Sequence, residues 1–323
     1  MDLSVIIVCY KGWEKLYRCL ESLDSFTGEK FSMEVIVVDN NSADETFSKI
    51  EEKFRKFRFI RNRINGGFAY GCNTGAANST GDNLLFLNPD TVVKEEAVIK
   101  LLDATRSDRD FFIVSCRQIL KSGKESKATG SFPGLFYRRT SPEQSSGLQG
   151  QAQKVSKSAL FPDWVSGSVM MIRKEIFSKL NGFDEDFWMY SEDVDLCRRA
   201  RNLGGEVVFL TDITIGHDHG GSSRTDMKTT SITKCEVQIS KHIFIHKHIS
   251  GAERICMHSI LIADNLITGV LTGFLGLIFF SVPHLLVRSL IFIRLLNYYL
   301  VSFKRKSWIS PRSVNSNKNV SGK

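Results

Sequence analysis

The residues best placed to do chemistry are two acidic motifs, Leu87-Asn88-Pro89-Asp90-Thr91 and Ser191-Glu192-Asp193-Val194-Asp195-Leu196. Each flanks an apolar stretch, which sets its carboxylates at the edge of a packed core. A carboxylate at a strand end suits a cation bound to a diphosphate, whose growing charge must be neutralised as it leaves. A second carboxylate cluster suits a general base that takes a proton from an attacking hydroxyl. Together they read as group transfer from an activated phosphate donor. Acidic residues also cap helices and favour helix N-termini, so the reading depends on their surroundings.

Those surroundings alternate between strands and helices. Leu3–Cys9 is a β-branched run that reads as a strand buried on both faces. A helix around Trp13–Leu23 follows, with Leu16, Cys19, Leu20 and Leu23 on one face. Glu34–Val38 is a second buried strand ending at Asp39-Asn40-Asn41-Ser42, then come a helix near Ala43–Phe54 and a short strand at Phe57–Arg61. Asn65-Gly66-Gly67-Phe68 opens a helix to about Asn78, and Asn83–Leu87 is a strand leading into the first acidic motif. Between about Gln118 and Lys157 the pattern dissolves into Ser, Gly, Lys and Gln, a long loop or flap. Order returns with a strand at Val169–Ile172, a helix at Lys174–Leu180, a helix at Glu192–Leu203 and a strand at Glu206–Leu210. Strand–helix–strand order predicts an α/β fold with a mostly parallel sheet flanked by helices, and ligands at the carboxyl ends of the strands.

The bulk composition agrees with a folded enzyme. The chain has 323 residues, 42% hydrophobic and 24% charged, with a formal charge of +8. Such a charge fits nucleic acid, a membrane surface or a polyanionic substrate. No zinc-finger spacing, RNA-binding aromatic motif or basic zipper is present, which argues against nucleic acid. The seven cysteines are scattered and form no CxxC pair, a pattern of buried thiols in a reducing compartment. The N-terminus has no basic n-region and too few apolar residues for a signal peptide, so the chemistry is expected in the cytoplasm.

Five motifs, in order, carry a resemblance. They are Val5–Tyr10, Val37–Ser42, Asn65–Phe68, Gly81–Asp90, and Gly182-Phe183-Asp184-Glu185 with Glu192-Asp193-Val194-Asp195. Over roughly residues 3–225 the chain resembles a family 2 glycosyltransferase, and more narrowly the bacterial rhamnosyltransferase-like branch. The resemblance implies a Rossmann-like GT-A fold, a nucleotide-sugar donor, Mg²⁺ or Mn²⁺, and inversion at the anomeric carbon. It places the donor nucleotide against Cys9, Tyr10, Asp39, Asn41, Asn65, Gly66, Gly67 and Asn88. An Asp there can accept a hydrogen bond from a pyrimidine imide N–H, Tyr10 can stack on the base, and glycines let the backbone approach closely. Asn88-Pro89-Asp90 stands where the family has Asp-x-Asp, which leaves Asp90 as the charged metal ligand, with His217 as a second ligand or a phosphate contact. Asp193 is the expected catalytic base. Glu192, Trp164, Gly167 and Trp188 are expected on the acceptor side, with core packing the alternative for Trp164.

The last third of the chain is different material. From Leu266 to Val287 there is no Asp, Glu, Lys or Arg, and Lys304-Arg305-Lys306 follows. The length suits one spanning helix, while Gly269, Gly273, Gly276 and Pro283 suit a broken hairpin or interfacial segments. A dimer-forming core helix, and hence a homodimer, is the alternative. The sequence thus predicts a catalytic domain over residues 1–230 and a helical, membrane-associating region over 231–323, on the cytoplasmic side of the inner membrane. The expected reaction moves one sugar, rhamnose from dTDP-rhamnose, to a polyprenyl-diphosphate-linked glycan in surface polysaccharide assembly such as O-antigen. A different donor such as a UDP-hexose, or a non-catalytic scaffold, are the competing readings. The chain lacks the Gln-x-x-Arg-Trp motif of processive synthases.

Overall fold

Leu3–Cys9 is apolar at every position except Ser4, and all seven residues are buried, so it forms the central strand β1. The computed structural model describes residues 1–135, 159–218, 226–278 and 282–316; the stretch 136–158 of the expected long loop and the run 219–225 after Asp218 lie outside them. After β1 come α1 (Trp13–Asp24), β2 (Met33–Asp39), α2 (Thr46–Lys53), β3 (Arg58–Arg61), α3 (Gly67–Ala77) and β4 (Asn83–Leu87). Then follow β5 (Thr91–Val92), α4 (Glu95–Ser107), β6 (Phe111–Ile119), β7 (Thr129–Gly130), β8 (Ala159–Leu160), β9 (Trp164–Val165) and β10 (Val169–Arg173). The chain continues through α5 (Lys174–Lys179), α6 (Glu192–Asn202), β11 (Glu206–His217), α7 (Met227–His248), α8 (Gly251–Ile278) and α9 (Pro283–Arg305).

Two compact units emerge. The first contains the main sheet, in the order β3-β2-β1-β4-β10-β6-β11-β5, with β8 also paired to β11. β1, β2, β3 and β4 run parallel, as do β6 and β11. β10 is antiparallel to both of its neighbours, β4 and β6, which gives a mixed sheet. Because β10 reverses the direction twice across the sheet, β6 and β11 point the same way as β1. The carboxyl ends of β1, β2, β4, β6 and β11 therefore share one edge, and the Ser166-Gly167-Ser168 turn entering β10 lies there too.

Packing fixes that edge. α3 lies so close to β1 that a Cβ on Gly71 would stand 2.5 Å from Val8, and one on Gly75 2.4 Å from Ile6. Any side chain at either position would push the helix off the sheet. Phe86, Phe177 and Phe183 pack with ring centroids 5.0–5.5 Å apart. Asn73 on α3 locks Phe183 from both sides: its Nδ2 donates to the Phe183 carbonyl at 2.8 Å and its Oδ1 accepts from the Phe183 N–H at 2.9 Å.

The second unit contains α7, α8 and α9 together with Glu185–Glu192. Proline has no N–H to donate and a φ already set for a helix, so Pro283 opens α9 at its first turn. Gly269 sits under the Phe292 ring, and Asn265 Nδ2 donates to the Tyr299 hydroxyl at 2.9 Å, so α8 and α9 form an antiparallel hairpin. Its Gly251–Thr272 and Pro283–Arg305 stretches are each long and apolar enough to cross a membrane. The apolar surface is largely uncovered: Ile267 is 63%, Leu271 63% and Leu300 72% exposed. The uncharged run Leu266–Val287 thus straddles two helices, the broken-hairpin form of the sequence reading.

Within this unit the tail and α7 hold the Glu185–Glu192 segment. Lys247 pairs with Asp186 at 2.6 Å, Asn315 Nδ2 donates to Asp186 at 2.9 Å, and the Ser313 hydroxyl donates to the Glu185 carbonyl. Glu236 is buried on α7, where it accepts from the Ser310 hydroxyl at 2.9 Å.

Candidate active site

The loops at the ends of β1 and β2 close on each other. Cys9 is fully buried and its thiol faces the Val38 carbonyl, so only its backbone is available to a ligand. Lys11 and Gly12 take positive φ of 59° and 73°, which turns the chain sharply beside the exposed Tyr10. The Lys11 N–H donates to Ser42 Oγ at 2.8 Å, and that hydroxyl donates to Asp39 at 2.5 Å. The buried Asp39 carboxylate also accepts the Ser42 N–H, so it shapes the loop as well as facing the strand ends. Asn41, exposed, takes a positive φ of 64°.

Asn40, which the sequence reading passed over, is the hub of this region. Its Nδ2 donates to Asn65 Oδ1 at 3.2 Å and to the Gly67 carbonyl at 2.8 Å, and its Oδ1 accepts from Asn62 at 3.1 Å. Asn65 Oδ1 in turn accepts the Gly67 N–H. Asn65, Gly66 and Gly67 are thereby pinned to the end of β2, at the N-terminus of α3.

β4 delivers the first acidic motif and β11 delivers His217 to meet it. In the antiparallel β5–β11 ladder His217 lies opposite Thr91, and the Asp218 N–H donates to the Asp90 carbonyl at 2.8 Å. His217 Nε2 then stands 3.1 Å from Asp90 Oδ1. Gln118, at the end of β6, is paired with Ile215; two residues on, His217 falls on the same face, and its Nδ1 lies 2.7 Å from Gln118 Oε1. Around this pair gather cations, Lys15 and Arg18 from α1 and Lys121 from the turn after β6. Lys15 Nζ is 3.9 Å from Asp90 and donates to the Asp218 carbonyl at 2.7 Å, while Arg18 and Lys121 pair with the Asp218 carboxylate at 3.2 and 2.7 Å.

The second acidic motif begins at a strained turn, with Tyr190 and Ser191 both at positive φ, 72° and 63°. Asp193 accepts the Gly167 N–H at 2.9 Å and its neighbour Val194's N–H at 2.8 Å. Burial raises its pKa above the ordinary carboxylate value, against the pull of those two donors. A Cβ on Gly167 would lie 3.2 Å from Phe68 and 3.4 Å from the Asp193 Cβ, so an added methyl group would press on both side chains. Asp195 does other work: it is buried and holds Arg199 at 2.7–2.8 Å.

The three-residue turn Ser166-Gly167-Ser168 joins the two acidic motifs. Gly167 holds Asp193, the Ser168 carbonyl accepts the Asn88 N–H at 2.9 Å, and the Ser168 hydroxyl donates to Gln118 at 2.8 Å. Of the acceptor-side residues, Gly167 is at this edge. Trp164 lies over Gly130 in the β7–β9 ribbon and donates to the Ser131 carbonyl at 3.1 Å. Trp188 and Glu192 fall in the second unit, where the Arg312 guanidinium covers the Trp188 ring at 5.3 Å.

Asp90 and His217 are donors of the right kind for Mg²⁺ or Mn²⁺, one hard carboxylate oxygen and one imidazole nitrogen. Among the described residues no cluster of three or more His, Cys, Asp or Glu could hold a metal ion. With only these two ligands from the protein, a cation here would need donor phosphates and water to complete its shell. Lys15, Arg18, Gln118 and Asp218 were absent from the sequence reading. The usable signal was positional: α1 starts directly after β1, so its first turns face the ligand edge.

Comparison with known proteins identifies the family and the fold. The model of glycosyl transferase family 2 matches residues 4–180, more than half of the chain, and a model described as the N-terminal domain of galactosyltransferase matches residues 156–219. The chain is 28% identical over 204 residues to the low-salt glycan biosynthesis hexosyltransferase Agl10 of Haloferax volcanii, covering 62% of each protein. It is 26% identical over 251 residues to the N-acetylglucosaminyl-diphospho-decaprenol L-rhamnosyltransferase of Mycobacterium tuberculosis, covering 69% of this chain and 78% of that one. A crystal structure of GalNAc-T7 with UDP, GalNAc and Mn²⁺ superposes with a TM-score of 0.57 at 19% identity, over 76% of this chain and 49% of that one, which establishes a shared GT-A-like fold. The chain belongs to glycosyl transferase family 2, and it is a glycosyltransferase.

Proposed function

We propose that the protein transfers rhamnose from dTDP-rhamnose, with inversion, to a polyprenyl-diphosphate-linked glycan at the cytoplasmic face of the inner membrane, in surface polysaccharide assembly. The observation that carries the chemistry is the Ser166–Ser168 turn, which ties the Asp193 carboxylate and the Asp90–His217 pair to one sheet edge. In inverting transfer the acceptor hydroxyl attacks the anomeric carbon from the face opposite the diphosphate, and the bond to the phosphate oxygen breaks. Asp193 takes the hydroxyl proton, and its raised pKa makes it a stronger base than an exposed carboxylate. Asp90 and His217 would hold a divalent cation, which would supply positive charge against the diphosphate, and Lys15 adds positive charge beside them. Asp39, Tyr10 and the Asn65–Gly67 turn receive the nucleotide. Residues 1–230 carry this chemistry, and residues 231–323 bring the enzyme to the lipid-linked acceptor.

The choice of sugar and lipid carrier is supported by the mycobacterial relative, whose name specifies L-rhamnose and a decaprenyl-diphosphate acceptor. Membrane association is supported by the uncovered apolar face of the α8–α9 hairpin and by Lys304-Arg305-Lys306 at its end, suited to an anionic leaflet. The test is to incubate the full chain in lipid nanodiscs with dTDP-rhamnose, or a panel of UDP-hexoses, and a polyprenyl-diphosphate-linked N-acetylglucosamine. The expected product is the acceptor extended by one deoxyhexose in inverted configuration. Transfer from a UDP-hexose and none from dTDP-rhamnose would overturn the donor assignment.

A further inference from the structure

The α8–α9 hairpin ends beside a basic cavity. α8 begins and α9 ends at the same end of the pair, where Trp308 stacks on His258 with ring centroids 4.4 Å apart. A cavity of about 380 Å³ opens between this turn and the last turn of α7, lined by Asp186, His246, Lys247, Lys306, Ser307 and Trp308. All of these belong to the helical unit.

Lys306 stands in a position that glycine usually fills. It follows α9 at φ 52° and ψ 37°, the left-handed conformation that closes a helix. Its N–H donates to the Phe303 carbonyl at 3.3 Å, and the Ser307 N–H donates to the Ser302 carbonyl at 3.1 Å. The turn is thus a regular helix stop that carries a cation in place of glycine. Charge in the cavity is otherwise matched. Asp186 accepts from Lys247 at 2.6 Å through one oxygen and from Asn315 at 2.9 Å through the other. Burial, with Arg254 and Lys247 nearby, holds the His246 pKa below its ordinary value against the pull of Asp186, so its ring is neutral near pH 7. Lys306 makes no ion pair among the described residues, which leaves one unmatched positive charge.

An apolar path leads to the same place. Ile293 is 62%, Leu300 72% and Phe303 60% exposed, on one face of α9, and the Phe303 ring meets Trp308 with centroids 5.5 Å apart. The exposed stripe therefore ends on the cavity wall. A cationic cavity at the end of an apolar stripe complements an amphiphile, with hydrocarbon along the helix and an anion in the cavity. Tryptophan is enriched at the membrane–water boundary, which is the level such a head group occupies.

We propose that this cavity binds the phosphodiester head group of an anionic phospholipid whose acyl chains lie along the exposed face of α9. The inference rests on the membrane association proposed above, and it names the lipid chemistry that the helical unit recognises. The unmatched charge decides between lipids. A phosphodiester carries a single negative charge and is matched by Lys306, whereas the diphosphate of a lipid carrier carries more and would go partly unpaired.

Native mass spectrometry of the full chain in uncharged detergent gives the affinity of the first bound lipid. The probes are dioleoyl phosphatidylglycerol, dioleoyl phosphatidylcholine and geranylgeranyl diphosphate, and phosphatidylglycerol is expected to bind most tightly. Lys306→Gly removes the cation and suits the left-handed turn, while Lys306→Gln removes it and keeps most of the stem. A loss shared by both is therefore not a loss of folding. Each should weaken phosphatidylglycerol binding about 10–100-fold, the worth of one hydrogen bond to a charged group. Lys306→Arg should stay within a few-fold of the wild type. Lys304→Ala, the same loss of charge outside the cavity, should cost no more than about fivefold. Equal losses at Lys306 and Lys304 would reduce the site to diffuse surface charge and overturn the proposal. Tighter binding of geranylgeranyl diphosphate, or phosphatidylglycerol binding unaffected by both Lys306 variants, would overturn it as well. Sedimentation with phosphatidylcholine vesicles separates the two readings. A chain that stays in solution yet binds phosphatidylglycerol through Lys306 refutes membrane association alone, and one that sediments without Lys306-dependent lipid binding refutes the cavity alone.

Discussion

The sheet edge and the helical hairpin solve opposite problems. At the edge, buried polar groups such as Asp39, Asn40, Gln118 and His217 are enclosed by one another, and their hydrogen bonds hold a fixed geometry. On the hairpin, large apolar side chains such as Ile255, Ile267 and Leu300 face outward with no protein covering them. Burying polar groups is costly unless each finds a partner, so the edge is precise and intolerant of change. Uncovered apolar surface costs free energy in water and gains it in lipid, so the hairpin asks only for the right surroundings. The lesson is that precision and location are assigned to different parts of the chain.

The sharpest way to break the edge is at the proposed base. Asp193→Asn should cut transfer by about 10²–10⁴-fold while leaving donor binding intact, measured by turnover and by titration with dTDP. Because Asp193 must be charged to act and its pKa is raised, activity should be lost as pH falls through a value above the usual ~3.9. Unchanged turnover in Asp193→Asn would remove it from the mechanism, and lost dTDP binding would move it to the diphosphate.

The hairpin is challenged by charge. Replacing Ile267, Leu271 and Leu300 together with Asp should shift the protein from membranes to the soluble fraction, with partitioning lowered about 10⁶-fold, since each of the three charges costs about 3 kcal/mol in hydrocarbon. Soluble turnover on a water-soluble acceptor should survive. A variant that still floats with vesicles at high salt would show that the exposed face is not what binds.

Glu236 sharpens the comparison, because it is a buried acid within the helical unit. Burial raises its pKa to about 7, despite the Ser310 hydroxyl and Arg312 nearby. The fold favours its neutral form, so its contribution is intact below about pH 4.5 and is lost as pH rises towards 7. Glu236→Gln should remove that loss and stabilise the protein by about 3 kcal/mol above pH 7, read from denaturation midpoints across pH. A pH-independent difference between variant and wild type would exclude the linkage. The smallest effect is expected at Gly167→Ala, where the new methyl group meets Phe68 at 3.2 Å and Asp193 at 3.4 Å. A fall in kcat of about 10-fold with unchanged KM for donor would match a displaced base.

Much of the frame was legible because strongly patterned strands leave little choice. Leu3–Cys9, Glu34–Val38 and Asn83–Leu87 read as buried strands and are buried strands, and the helices at Trp13, Lys174 and Glu192 start where expected. The region after Asp90 was harder. β6 reaches Ile119, into the stretch that reads as the start of a loop, since Arg117 and Gln118 break its apolar run. The reversed strand β10 was equally hidden, because a short apolar strand carries no mark of its direction.

The sequence by itself determined the family, the fold class and which carboxylates to suspect, because motif order and strand patterning are local properties of the chain. Only the tertiary structure decided who meets whom. The reversal at β10 brings the ends of β4, β6 and β11 to one edge, and the β5–β11 register sets His217 against Asp90. Lys15, Arg18 and Gln118 enter the site from elements far apart in sequence, where nothing in residue type or spacing distinguishes them from surface cations or a core amide. Their roles come from non-local pairing, which the chain specifies only through the packed sheet.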